Sequence, residues 1–222
     1  MNIHILTPYY RKYLYKTLIH YYTPKHIIWH PICDEVDIEP FKDNTLEWVK
    51  PFLCPPLQKG QQCYEKFNHF LKGNEIIDED FYGFCGDDDM WEDGIFSELR
   101  KLDPEINIVY LSNYRGDKIP NDGGAPHPVH PIIMKDISQV KPCHIGLGEF
   151  FIKGRIFKQH TFDNLDGAGD GRFAQKIYKG LNPKTILFKP NWFVFGNYFQ
   201  PGRHTDKNKF LKDNWKLPEI IK

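Results

Sequence analysis

The chain reads as an α/β protein, a sheet covered by helices, and three observations predict this. Short apolar runs alternate along the sequence with stretches whose apolar residues recur at helical spacing. With 222 residues, 41% of them hydrophobic and including 17 Phe, 12 Tyr and 5 Trp, the chain can fill one substantial core. Several of the apolar runs end abruptly in clusters of polar and acidic residues, as strands do where a ligand-binding crevice opens beyond a sheet.

Taken in order, "NIHILTP" is a first strand closed by Thr7-Pro8, because Pro8 cannot continue a central ladder. In "YYRKYLYKTLIHYY", Tyr10, Leu14, Leu18 and Tyr21 form a helical stripe. "HIIWHPIC" is a second strand, closed by Asp34 and Glu35. The proline-punctuated stretch 36–56 is irregular, with a short strand expected at "TLEWVK". "GQQCYEKFNHFLKG" is a helix burying Cys63, Phe67, Phe70 and Leu71 and stopping at Gly73. "DFYGFCGDDD" is an aromatic strand that exits into three aspartates. "DGIFSELRKL" is helical, "INIVYLSNY" a strand, and "RGDKIPNDGGAPHPVHP" a loop. "CHIGLGEFFIKGRIF" reads as one or two strands broken by glycines, "DGRFAQKIYKG" as a short helix and "TILFKPNWFVFGNYF" as a strand pair, before a polar tail from Gly202.

Composition excludes several classes. Lys plus Arg and Asp plus Glu are both 29, so there is no basic excess to hold nucleic acid. Five cysteines at irregular spacing, with no CxxC pair, fit a reducing compartment. Neither a leader peptide nor an apolar run of about 18 residues is visible, so a soluble, cytoplasmic protein without a membrane span is expected. No GxSxG, P-loop or HExxH motif is present, and "GAGDGR" carries Arg172 where a dinucleotide fingerprint needs its third glycine.

Three strand ends carry the chemistry: Thr7 to Arg11, Asp34-Glu35, and Asp87 to Asp89. Adjacent carboxylates repel one another. A hard divalent cation relieves that repulsion, and Mg²⁺ or Mn²⁺ is commonly held by one or two carboxylates together with substrate phosphates. Acids after a strand also cap helices, as Asp93 would.

"FYGFCGDDDMW" resembles the DxD segment of the GT-A glycosyltransferases. "IHILTPYYRKYLYKTLIHYY", "HIIWHPICDE" and "KGQQCYEKFNHFL" are similar to that family's first strand and helix, second strand, and following helix, so the likeness covers most of residues 1–115. It implies a GT-A (Rossmann-like) mixed, mostly parallel sheet flanked by helices. It implies a single domain over 1–222: a nucleotide-sugar half at 1–115, an acceptor half at 116–200, and a tail at 201–222 closing over the donor. The implied activity is metal-dependent transfer of a hexosyl or deoxyhexosyl group from a UDP-sugar to a glycan acceptor, with Mn²⁺ or Mg²⁺.

Residue by residue, the resemblance puts Asp87 and Asp89 on the metal, with Asp87 and Asp88 also beside the donor. Thr7, Tyr9 and Asp34 would line the base, and Arg11 and Lys59 would lie near base or phosphate. "GDGRFAQK" is similar to the family's acidic segment at a helix start, which makes Asp170 the candidate base and Asp166 its reserve. Where the family has Glu-Asp, this chain has Gly169-Asp170. From "PGRHTDK", His204 would join the metal and Lys207 the diphosphate. Trp91, Trp192 and Phe151 are candidates either for stacking on a sugar or for the core. A zinc site at His127, His130 and Cys143-His144, a nucleotidyltransferase, and a non-catalytic sugar- or nucleotide-binding module are the competing readings.

Overall fold

The computed structural model describes residues 1–10, 14–57, 63–87, 89–115, 130–142, 144–163 and 168–196. Its strands are β1 (Ile3–Pro8), β2 (Ile28–Cys33), β3 (Phe52–Leu53), β4 (Phe81–Phe84), β5 (Met90–Trp91), β6 (Ile108–Arg115), β7 (His130–Ile132), β8 (Phe150–Lys153) and β9 (Ile186–Gly196). Its α-helices are α1 (Tyr15–Tyr22), α2 (Tyr64–Gly73), α3 (Ile95–Leu99), α4 (Gly154–Phe157) and α5 (Gly169–Tyr178).

All nine strands join one sheet in the order β3-β2-β1-β4-β8-β6-β9-β5, with β7 added to β6. The block β3-β2-β1-β4 is parallel. β8 runs against both β4 and β6, β9 runs parallel to β6, and β5 and β7 oppose their neighbours. β1, β2, β3, β4, β6 and β9 therefore share one direction, and the sheet is mixed and mostly parallel, as the sequence predicts.

The period-2 alternation of the strands sorts the core into two layers. Ile3 and Ile5 of β1 pack with Leu18 and Tyr22 of α1 and with Ile95, Phe96 and Leu99 of α3. Leu6 and Phe84 face the other way, onto Phe67 and Phe70 of α2, Phe157 of α4 and Phe173 and Ile177 of α5. Trp91 and Phe151 are fully buried in the first layer, which makes them core, and Trp192 packs half-buried against it.

Local differences from the sequence pattern have physical causes. The first helix begins at Tyr15, and its buried stripe is Leu14, Leu18 and Tyr22; Tyr10 stays outside it, its backbone held at the end of β1. "TLEWVK" supplies one isolated bridge, Trp29 to Val49, because the chain turns into Pro51 before a ladder can extend. β8 stops at Lys153 and α4 starts at once. "TILFKPNWFVFG" is one strand with an excursion: Leu111 faces Lys189 but Ser112 faces Phe193. Residues 190–192 leave the ladder where Pro190 has no N–H to give, and the Pro190 carbonyl accepts from Ser112 Oγ at 2.8 Å.

Gly83 sets how closely β4 and β8 approach. It pairs with Phe151, and a Cβ built on it would overlap that ring and crowd Ile5 Cδ1. Neither neighbour can move without disturbing the first core layer. Gly83→Ala is therefore expected to lower stability by about 1–3 kcal/mol through overpacking. Urea unfolding of the two proteins side by side measures this, and equal midpoints would contradict it.

Candidate active site

β1 lies between β2 and β4, so the chain leaves it first to one side and later to the other. Such a reversal opens a crevice beyond the carboxyl ends of the strands, where α/β sheets bind ligands. At this point the Tyr10 N–H donates to Asp87 Oδ2 at 3.0 Å, joining the end of β1 to the turn after β4. The strands hold both residues there: the Tyr9 N–H donates to the Ile32 carbonyl at 3.1 Å and the Cys85 N–H to the Leu6 carbonyl at 3.0 Å. Asp87 is only 2% exposed, whereas Tyr10, at 44%, presents its ring at the rim.

Asp89 closes the same turn. Its Oδ2 accepts from the Gly86 N–H at 3.2 Å, and its own N–H donates to the Gly86 carbonyl at 3.3 Å. Two carboxylates are thus fixed by backbone donors at one strand end, and both are hard oxygen ligands of the kind Mg²⁺ and Mn²⁺ prefer. Among the described residues no group of three or more His, Cys, Asp or Glu side chains is arranged to hold a metal, so such an ion would share these two acids with oxygens from elsewhere.

Lys66 lies at the carboxyl ends of β1 and β2. It lies in the first turn of α2 and is fully buried. Its Nζ donates to the carbonyls of Ile32 (3.3 Å) and Tyr9 (3.4 Å), sits 3.8 Å from the centroid of the Tyr10 ring, and lies 4.0 Å from Asp34 Oδ2. One ammonium therefore touches the carboxyl ends of β1 and β2, the exposed aromatic and the β2 acid. Both carbonyl contacts are long and the carboxylate is at the limit of an ion pair, so this cation is buried with incomplete compensation.

The first turn of α2 also meets α5. Gly169 packs against the Tyr64 ring, and Asp170 Oδ1 accepts from the Gly171 N–H at 2.7 Å. Burial first, and the charge of Asp170 second, push the Cys63 thiol up to about 11. The start of α5 is fixed by Arg172, whose Nε and Nη2 grip Asp163 at 2.7 and 2.6 Å. Asp170 thereby lies beside Cys63 and Tyr64 at the start of α2.

The structure thus brings together Asp34, Asp87, Asp89 and, through α2, Asp170. Thr7 and Tyr9 go elsewhere. Both are fully buried; Thr7 Oγ1 accepts from Trp29 Nε1 at 3.0 Å, and the Tyr9 ring packs edge-on to Trp29 and Phe41. Their side chains belong to the α1-side core, and Tyr10 holds the exposed place expected of Tyr9. Arg11, Lys59, Asp88, Asp166, His204 and Lys207 lie outside the described residues, as do His127 and Cys143. Sequence reasoning missed Lys66 and Tyr10. A signal for Lys66 existed, since it follows Cys63 by three and precedes Phe70 by four, a lysine on the buried stripe of its helix.

No protein-family model matches the chain, and no curated protein matches it significantly. Solved structures do. S. aureus TarS 1-349 superposes with a TM-score of 0.57 at 16% identity, covering 87% of this chain and 60% of that one. TarS 1-349 in complex with UDP-GlcNAc gives 0.55 at 15% identity, over 88% and 58%. The complex with UDP gives 0.56 at 16% identity, over 88% and 60%. The chain spans about 60% of the length of these structures. At such identity the likeness is one of fold, and the chain has a GT-A-like α/β fold.

A buried, under-compensated ammonium is a cost that function can retain. Lys66→Met is expected to unfold no more easily than the parent, with a Tm equal or higher; a fall of several degrees in a thermal melt would show that the ammonium serves the fold.

Proposed function

We propose that the protein is a metal-dependent glycosyltransferase that moves a sugar from a UDP-sugar to a hydroxyl of a glycan acceptor. The observation that carries this reading is the meeting of β1 and β4 at the reversal point of the sheet, with Asp87 fixed on the Tyr10 N–H and Lys66 beneath the Tyr10 ring. The fold shared with structures solved with UDP and UDP-GlcNAc supports it.

In this reading Asp34 and Tyr10 receive the base, as the acid and the exposed ring at adjacent strand ends. Asp87 and Asp89 would hold Mn²⁺ or Mg²⁺. That ion supplies charge neutralisation for the departing diphosphate. Lys66 would set positive charge at the base end, beneath the Tyr10 ring and 4.0 Å from Asp34. The resemblance of residues 203–207 to the family assigns His204 to the metal and Lys207 to the diphosphate, with Arg11, Lys59 and Asp88 on the donor side.

Asp170 would take the acceptor hydroxyl's proton in an inverting transfer, with Asp166, four residues earlier in the sequence, in reserve. The Gly171 N–H donates to Asp170 Oδ1 at 2.7 Å, and a carboxylate with a fixed orientation supports this role. Among the described residues no helix is long and apolar enough to cross a membrane, and Cys33, Cys54, Cys63 and Cys85 are free thiols. A reaction inside the cell belongs to the same proposal, from the irregular spacing of the five cysteines.

Two measurements test the reading. UDP with Mn²⁺ should raise the Tm of the parent by several degrees, since a ligand that binds only the folded state stabilises it by about 2.7 kcal/mol at a hundredfold excess over Kd. Asp89→Ala should lose most of that shift and at least 100-fold in UDP release from a UDP-sugar; unchanged turnover would exclude the metal role. Asp170→Asn should keep the shift while turnover falls about 100-fold or more. Nucleotide binding with no turnover in the parent would instead favour a non-catalytic binding module.

A further inference from the structure

Helix α2 holds the segment leading into α5 at two places, one turn apart. Tyr64 and Asn68 stand at i and i+4 of that helix, so they share a face. Asn68 is buried, and its amide takes both backbone groups of Phe162. Oδ1 accepts from the Phe162 N–H at 2.9 Å, and Nδ2 donates to the Phe162 carbonyl at 2.9 Å. Nδ2 also donates to Glu65 Oε2 at 3.0 Å. A carboxylate only accepts, so the Glu65 contact fixes which end of the amide carries hydrogen. Phe162 belongs to no strand, yet it is paired as a strand residue would be, by a single side chain. Its ring stacks on Tyr64 at 5.7 Å and 5°, and on Phe173 of α5 at 3.7 Å and 10°.

The place of Phe162 sets that of Asp163, and Asp163 meets the start of α5 twice. Its carboxylate takes Nε and Nη2 of Arg172 at 2.7 and 2.6 Å, and its carbonyl oxygen lies against Gly169. A Cβ built on Gly169 would stand 2.7 Å from that oxygen and 2.7 Å from the Tyr64 ring, so only glycine fits directly before Asp170. The chain is therefore pinned to α2 by Asn68 at Phe162 and again by Tyr64 at Gly169. Lys66, two residues before Asn68 on the same helix, reaches the carboxyl ends of β1 and β2.

We propose that Asn68 is a positioning residue for the transfer step: through Phe162, Asp163 and Arg172 it holds the Asp170 carboxylate in fixed register with α2. This rests on the reading of Asp170 as the group that takes the acceptor's proton, and it adds the residue that keeps that group in place. Being buried, Asn68 acts through the backbone of Phe162 and not by contact with substrate. Without its amide, the Phe162 N–H and carbonyl lose their partners, and the segment shifts to regain them. A misplacement of about 1 Å in a catalytic group costs on the order of 100-fold in rate.

UDP release from UDP-GlcNAc and other UDP-hexoses with Mn²⁺, counted per UDP-binding molecule by calorimetry, compares four proteins: the parent, Asn68→Ala, Asp170→Asn and the double variant. Asn68→Ala should lose about 10-fold or more in kcat, with the KM for the UDP-sugar and the Kd for UDP within about twofold of the parent. The double variant should be no slower than Asp170→Asn, because nothing is left to position. Losses that multiply in the double variant, or a raised KM at parental kcat, would overturn the positioning role. Unchanged kinetics in Asn68→Ala beside an active parent would overturn it too, while leaving the glycosyltransferase reading intact. A parent inactive with every donor removes that reading and the positioning role together. Should Asn68→Ala not fold, Arg172→Lys decides. It keeps the charge at a half-buried position but gives up the two-point grip on Asp163. It must show the same fall in kcat at constant KM, and parental kcat there rejects the proposal.

Discussion

The hydrogen bond from the Tyr10 N–H to the Asp87 carboxylate is the contact on which the rest of the candidate site depends. A strand that ends at the middle of a parallel sheet leaves a backbone donor at the rim, where neither ladder nor helix can take it. Here a side chain from the neighbouring strand's exit takes it. That one bond fixes the direction in which the chain leaves β1, the orientation of Asp87, and the height of the turn that carries Asp89. The Tyr10 ring then lies over the Lys66 ammonium, and Lys66 reaches the carbonyls at the ends of β1 and β2. Charge, aromatic face and backbone are coupled, so no one of them can move alone.

Around this contact the electrostatics are uneven. Asp87 is buried with a backbone donor, Lys66 is buried with weak partners, and Tyr10 is exposed between them. In a folding sense the Lys66 end of the arrangement is poor, because a desolvated ammonium needs more compensation than long contacts give. In a binding sense it suits a ligand that brings both an aromatic ring and negative charge. At the other end of the same strands, His4, His30 and Asp80 show the opposite economy, with short contacts and stacked rings.

Much of this was legible in the sequence, for reasons that differ by residue. The alternation of strands and helices, the aromatic strand before Asp87 and the helix at Gly169 follow from periodicity and turn chemistry, and the structure has them. The facing of single residues at a strand end was not legible. Thr7, Tyr9 and Tyr10 differ only in which side of the sheet each one meets, and that depends on where β2 and β4 pair with β1. Lys66 was passed over because a lysine on a helix is normally solvated, although its spacing put it on the buried stripe. The excursion of β9 at 190–192 was read as a turn between two strands, since Pro190 interrupts either arrangement equally well.

The position of β8 has a consequence for how the molecule is made. It lies between β4 and β6 but follows both in the chain, and β9, the parallel partner of β6, comes later still. As the polypeptide emerges from the ribosome, the block β3-β2-β1-β4 can assemble from the first 84 residues, yet β4 and β6 then wait with apolar edges unpaired until Phe150 arrives. Open edges of this kind invite pairing with other chains. Nascent chains between about residues 115 and 150 thus expose edges of both β4 and β6, and β6 keeps one edge open until β9 arrives.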